Sequence, residues 1–288
     1  MKLVSFFPNP AIKTLAIRMH NLIFHGGWGL PEMISLELSQ ACNRRCFYCP
    51  QSTTPKKQQI VSQEVWNTFL KRLEEINWRG IVAFHFFNEP TLVPKFPEYV
   101  REVKARLPKC MPYLFTNGDR PAIIEEALQA GLFVATISQH PPFKEGWSEP
   151  IDALKKKWGM HVRVQRILPV AEAGKPVDDF NGEIIEMHNQ AGRIDVAWEP
   201  LKKCIHESGA MWIDVEGNML MCCRDYDHEY KFGNIMDRGI KDIWYSPKAL
   251  KIRQLVSKGV SATKLCNGCF QPNAGPEKQA STEAVAAN

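Results

Sequence analysis

Three of the chain's nine cysteines fall in one short run, CNRRCFYC, which sets Cys42, Cys46 and Cys49 directly after the apolar segment ISLELS (34–39). No other feature limits the fold so sharply. Thiolates this close on a loop after a strand can close round one face of a metal cluster. Three of them leave one iron of a four-iron cube open to a small molecule. Zinc is the competing reading, but it asks for four ligands, usually in C-x2-C pairs. An odd number of cysteines also argues against a disulfide framework and for ligation.

The rest of the chain must present that loop, and its apolar pattern predicts how. ISLELS (34–39), IVAFHFF (81–87), YLFTNG (113–118), FVATIS (133–138), HVRVQRIL (161–168) and IDVAW (194–198) read as strands. Helices are expected at 62–77, 94–107, 121–130, 148–158 and 180–191; the first buries Val65, Trp66, Phe69, Leu73 and Ile76. Six βα repeats imply an α/β fold, a partial (β/α)6 TIM-like barrel, whose chemistry lies on loops after the strands. After about residue 200 the rhythm changes. AMWIDVEGNMLMCC (210–223) reads as a β-hairpin turning at Glu216-Gly217-Asn218, followed by a helix near 239–257 and a loop carrying CNGC (266–269).

Four segments follow from this pattern: an N-terminal helical extension (1–33), the barrel (34–200), a small extension of hairpin plus helix (201–271), and a disordered Ala-, Ser- and Gln-rich tail (272–288). In the first, Asn9-Pro10 caps a helix that ends at Gly26-Gly27 and shows no secretory apolar core. A net charge of +5 with no dense basic run excludes a nucleic-acid binder, and no apolar stretch is long enough to span a bilayer. A cytoplasmic protein is expected.

CxxxCxxC with an aromatic before its third cysteine, after the first strand of a βα-repeat chain, resembles the radical S-adenosylmethionine superfamily over roughly residues 34–270. The resemblance implies a [4Fe-4S] cluster on Cys42, Cys46 and Cys49 whose open iron chelates the methionine moiety of S-adenosylmethionine. Reduction then yields a 5′-deoxyadenosyl radical, which the protein aims at one C–H bond. The implied cofactor contacts are Tyr48 near the adenine, then Asn88 and Glu89 of FNEP, where the family has a Gly-Gly-Glu-like segment binding the methionine amine. Thr116 and Asn117 of TNG, with Ser138 and Gln139 at the end of the fourth strand, complete the set. On the fifth strand, alternation puts Arg163 and Gln165 on one face and Arg166 on the other. The catalytic acid, base or hydrogen donor stays unknown.

Cys204, Cys222, Cys266 and Cys269, with Gly217 shortly before Cys222, resemble the twitch form of the SPASM extension, which holds one auxiliary [4Fe-4S] cluster. Cys222 and Cys223 are read as adjacent strand residues facing opposite ways, so Cys223 is left as a buried apolar thiol and Cys110 as a spectator. A structural zinc site is the alternative for this set.

The resemblance fixes the chemistry and not the substrate. The leading expectation is a peptide modifier (epimerisation, crosslinking or excision), helped by a separate leader-peptide recognition protein. The alternative is a dehydrogenase of an aminocyclitol or sugar alcohol, and a third reading is a non-catalytic iron–sulfur or zinc protein. A flavodoxin or ferredoxin is the expected electron donor, and neither nucleic acid nor membrane is an expected partner.

Overall fold

The computed structural model describes residue 19 and residues 29–169, 182–196, 199–204 and 209–270. Apart from Met19, which is helical, the helix expected at the N-terminus lies outside those residues, as does the disordered tail. Among the described residues nine strands form one sheet in the order β6-β5-β4-β3-β2-β1-β7-β8-β9. They are β1 (Met33–Leu36), β2 (Ile81–Ala83), β3 (Met111–Thr116), β4 (Val134–Gln139), β5 (Val162–Leu168), β6 (Glu183–Glu186), β7 (Ala210–Ile213), β8 (Asn218–Leu220) and β9 (Lys231–Asn234). β1 to β6 pair in parallel with their neighbours. β7 joins the free side of β1, also in parallel, and β8 and β9 continue antiparallel. The sheet is not closed, as a partial barrel requires.

Helices α1 (Gln63–Glu75), α2 (Phe96–Arg106), α3 (Pro121–Gln129) and α4 (Ser148–Trp158) cover its outer face. α1 starts where Ser62 accepts the Val65 N–H at 3.1 Å, and buries Val65, Trp66, Phe69, Leu70 and Leu73. These pack on the outward residues Ile34, Leu36 and Leu38 of the β1 segment. Each such side chain contributes roughly 1.5–3 kcal/mol. The alternate residues Met33, Ser35 and Glu37 face the barrel interior, so the strand period itself divides core from site.

Three expectations are corrected. β6 is Glu183–Glu186, where a helix at 180–191 was expected; residues 194–196 are irregular, and Ile194 packs with Tyr48, Ile167 and Met187. The helix expected at 239–257 is two, α5 (Ile240–Trp244) and α6 (Pro247–Ser257), because Pro247 cannot continue a helix and Ser246 caps the second. The CNGC segment is not a loop but α7 (Lys264–Phe270). Gly268 of that helix lies against Ala191, whose carbonyl oxygen would be 1.9 Å from an added Cβ, so no other residue permits this approach.

Candidate active site

The loop from Gln40 to Gln59 is pinned at its neck by Gln40 N–H to the Gln59 carbonyl and Val61 N–H to the Leu38 carbonyl. Inside it the Cys49 N–H donates to the Cys46 carbonyl, and buried Gln51 donates to the carbonyls of Gln40 and Phe87. These bonds turn the thiols of Cys42, Cys46 and Cys49 onto one cavity of about 500 Å3. Burial raises the pKa of all three thiols, those of Cys42 and Cys49 to about 11. Metal binding therefore releases protons from these sites.

Tyr48, Asn88, Glu89, Thr116, Asn117 and Ser138 line the same cavity. Glu89 organises that wall. Its Oε1 accepts from Thr91 N–H, Thr91 Oγ1 and Thr116 Oγ1, and its Oε2 accepts the Asn117 N–H at 2.7 Å. Burial nonetheless pushes its carboxyl above the ordinary range. The TNG turn is held further by Trp147 Nε1, which donates to the Asn117 carbonyl, and by Gly118 at φ +77°. Asn88 is spent on its own turn, accepting the Phe86 N–H and donating to the Phe84 carbonyl. Tyr48 hydrogen-bonds His140 Nδ1 and stacks on that ring.

Gln139 is not part of this lining. Ser138 and His140 wall the cavity, while Gln139, between them in sequence, accepts from Arg166 Nε at 2.6 Å. Gln165 donates to Ser138 Oγ, so Gln165 and Arg166 face opposite ways as alternation predicts.

Several lining residues were not singled out from sequence: Met33, His85, Phe115, His188, Gln190 and Trp212. His85 and Trp212 were discoverable, since both keep the inward parity of Ala83 and Asp214. The His85 ring sits 4.4 Å from Phe115 and 5.4 Å from Trp212, centroid to centroid. Burial pushes its pKa down to about 3, so the ring is neutral. His85 Nδ1 and Trp212 Nε1 are buried without a hydrogen-bond partner among the described residues. His188 Nδ1 lies 3.3 Å from Arg224 Nη2; because arginine only donates, that nitrogen accepts and Nε2 carries the proton.

The second cysteine set lies next to this wall, since Arg224 touches both His188 and the Cys269 sulfur. Cys204 and Cys222 pack against the core that includes buried Cys266. The Cys222 sulfur accepts the Arg224 N–H at 3.2 Å, and Arg224 Nη1 reaches the Cys269 sulfur at 3.0 Å. A buried guanidinium among these sulfurs offsets the charge that a thiolate-bound cluster carries there, so the donor set fits the group. Neither set closes on a point. Among the described residues no three His, Cys, Asp or Glu side chains stand as one metal ion requires. A four-iron cube spreads its thiolates over separate irons. Cys223 corrects the sequence reading: it lines the main cavity instead of lying buried apart. Beside the cavity, behind Phe86, buried Glu37 meets His228, which also contacts Lys56 and Asp214.

Comparison with known proteins places these observations. A model of the radical SAM superfamily matches residues 36–175, and one of an iron–sulfur cluster-binding domain, SPASM, matches residues 204–270. The S-adenosyl-L-methionine-dependent 2-deoxy-scyllo-inosamine dehydrogenase of Niallia circulans is 26% identical over 257 residues, 86% of this chain and 96% of that one. The crystal structure of BtrN with AdoMet and 2-DOIA superposes with a TM-score of 0.69 at 24% identity, covering 80% of this chain and 88% of the other. Streptococcus suis SuiB bound to precursor peptide SuiA gives 0.60 at 12%, covering 86% and 72%. Among the described residues no helix is long and apolar enough to cross a membrane.

Proposed function

The chain belongs to the radical S-adenosylmethionine superfamily and carries a SPASM iron–sulfur domain after its barrel, and from that premise we propose that it oxidises a secondary alcohol of a small polyhydroxylated ring, a cyclitol, aminocyclitol or sugar. Its cofactors are [4Fe-4S] clusters and S-adenosylmethionine. When bound, the cofactor and the first cluster supply a 5′-deoxyadenosyl radical, and the auxiliary cluster a one-electron acceptor.

The observation that carries the reading is the wall beyond the cysteines. Phe115 and Trp212 bring aromatic rings, and His85, His188 and Gln190 bring polar side chains, to the same cavity. Such a lining suits the C–H face and the hydroxyls of a cyclic polyol. The likeness to the inosamine dehydrogenase over nearly its whole length supports the same reading. We take this reading over the peptide expectation.

In this account Cys42, Cys46 and Cys49 hold the first cluster, and Cys204, Cys222, Cys266 and Cys269 the second. Glu89 shapes the TNG turn and offers its carboxylate edge to the methionine ammonium, while Tyr48 and Ser138 border the remainder. The test is a panel of aminocyclitols, inositols, sugars and short peptides given to reduced, reconstituted protein with S-adenosylmethionine. A ring polyol should raise 5′-deoxyadenosine formation and be converted to a ketone. Stimulation by peptides alone overturns the reading.

A further inference from the structure

We propose that Arg224 is a positioning residue for the electron-accepting step, a guanidinium that ties the cavity wall at His188 to the Cys269 sulfur and raises the reduction potential of the auxiliary cluster. Arg224 follows β8 and is buried. Its two ends go to different spaces. Nη2 stands 3.3 Å from Nδ1 of His188, which lines the main cavity, and Nη1 donates to the Cys269 sulfur at 3.0 Å. The Arg224 backbone N–H donates to the Cys222 sulfur at 3.2 Å. One residue therefore donates to the sulfurs of both Cys222 and Cys269 while it also holds the wall of the cavity.

The segment after β6 joins the same two spaces independently. His188 and Gln190 line the cavity, whereas Asn189 between them is buried and donates to the Gly268 carbonyl at 2.7 Å. Gln190 and Ala191 take φ of +49° and +58°, a conformation that residues other than glycine rarely adopt. That turn sets the Ala191 carbonyl against Gly268, between Cys266 and Cys269 on α7. Two consecutive strained residues persist only where the surrounding contacts hold them. The wall of the cavity and the cradle of the second cluster are thus one packed unit, bridged by a side chain at Arg224 and by backbone at Gly268.

Adding an electron to a thiolate-held cluster adds negative charge to a buried site. A fixed guanidinium and hydrogen bonds to the ligand sulfurs favour that reduced form, and burial strengthens both. The guanidinium reaches His188 and Cys269 at once because its donors form a rigid planar fork, which the ammonium of a lysine does not reproduce. The step is one electron: the reductant is oxidised by one and the cluster is reduced by one, while Arg224 keeps its protons and no covalent bond changes. The proposal rests on the assignment of Cys204, Cys222, Cys266 and Cys269 to a cluster and not on the identity of the substrate.

The test is a redox titration of anaerobic holoenzyme with dithionite, each cluster followed by its electron paramagnetic resonance signal and iron counted in every sample. Arg224→Gln should lower the midpoint of the second cluster by about 59 mV or more, the equivalent of a tenfold change in a one-electron equilibrium. Arg224→Lys keeps the charge and loses the fork, so it should lower the midpoint by less; it carries the test alone if Arg224→Gln does not hold its iron. His188→Leu removes one partner of the fork and should shift the midpoint in the same direction, again by less. The midpoint of the first cluster should stay in place in all three. An unaltered second midpoint in every Arg224 variant that holds its iron, or in His188→Leu, overturns the proposal. So does loss of second-site iron from both Arg224 variants, which would make the residue part of cluster assembly. Zinc in place of iron at that site in the native protein would overturn the cluster assignment and the proposal together.

Discussion

Cys222 and Cys223 are adjacent in the chain yet serve different spaces: Cys223 lines the cavity of Cys42, Cys46 and Cys49, whereas the Cys222 sulfur accepts the Arg224 N–H and packs against the core with Cys204. β8 ends at Leu220, so the pair sits in a turn and strand alternation does not govern it.

Substitution should separate the two. Cys222→Ala is expected to lose the iron of the second site and product formation, while keeping uncoupled S-adenosylmethionine cleavage. Cys223→Ala should keep its iron and change turnover of the true substrate. Iron analysis of both variants decides it; loss of iron from Cys223→Ala alone would reverse the assignment.

Glu89→Gln replaces one acceptor oxygen by a donor facing other donors. The loss of charge-assisted bonds, each worth about 1.5–3 kcal/mol, should loosen the TNG turn and weaken S-adenosylmethionine binding at least tenfold. First-site iron should stay in place, because Glu89 is not a ligand. Equal affinity measured by equilibrium dialysis would leave Glu89 a purely structural carboxylate.

Gly118→Ala tests the same turn through sterics. A Cβ there would lie 2.6 Å from Ile137 Cγ2 and 3.0 Å from Trp147 Nε1, at a positive φ. A destabilisation of about 1–3 kcal/mol is expected, read as a lower urea midpoint. An unchanged midpoint would show that the turn yields freely.

Glu37 predicts a pH dependence. Burial drives its carboxyl up to about 8, far above the ordinary 4.5, against the attraction of Lys56, and Asp214 adds to the rise. The folded protein therefore holds a proton that the unfolded chain has lost, and stability falls as pH rises above about 4.5. Glu37→Gln should remove that fall, seen as a flatter urea midpoint between about pH 5 and pH 8. Parallel profiles for the two proteins would contradict it.

Much of this was legible in sequence, for physical reasons. β4 is buried at every position, β3 and β5 keep enough apolar residues to read as strands, and the cysteine spacing marked the loop that lines the cavity. β6 was missed because EIIE lies at an open sheet edge with polar ends, whereas Ile194 and Val196 are apolar in order to pack on Tyr48 and its neighbours. Gln139 was included because sequence proximity to Ser138 says nothing of direction until the strand register is known. The wall of His85, Trp212, His188 and Gln190 comes from segments distant in the chain, and only the folded barrel gathers it.

The most direct test of the account uses a ring polyol found active in the panel, deuterated at the carbinol carbon. The account predicts deuterium in 5′-deoxyadenosine and one ketone formed for each 5′-deoxyadenosine. Deuterium transfer without ketone, or its return to the substrate carbon in place of oxidation, would contradict it.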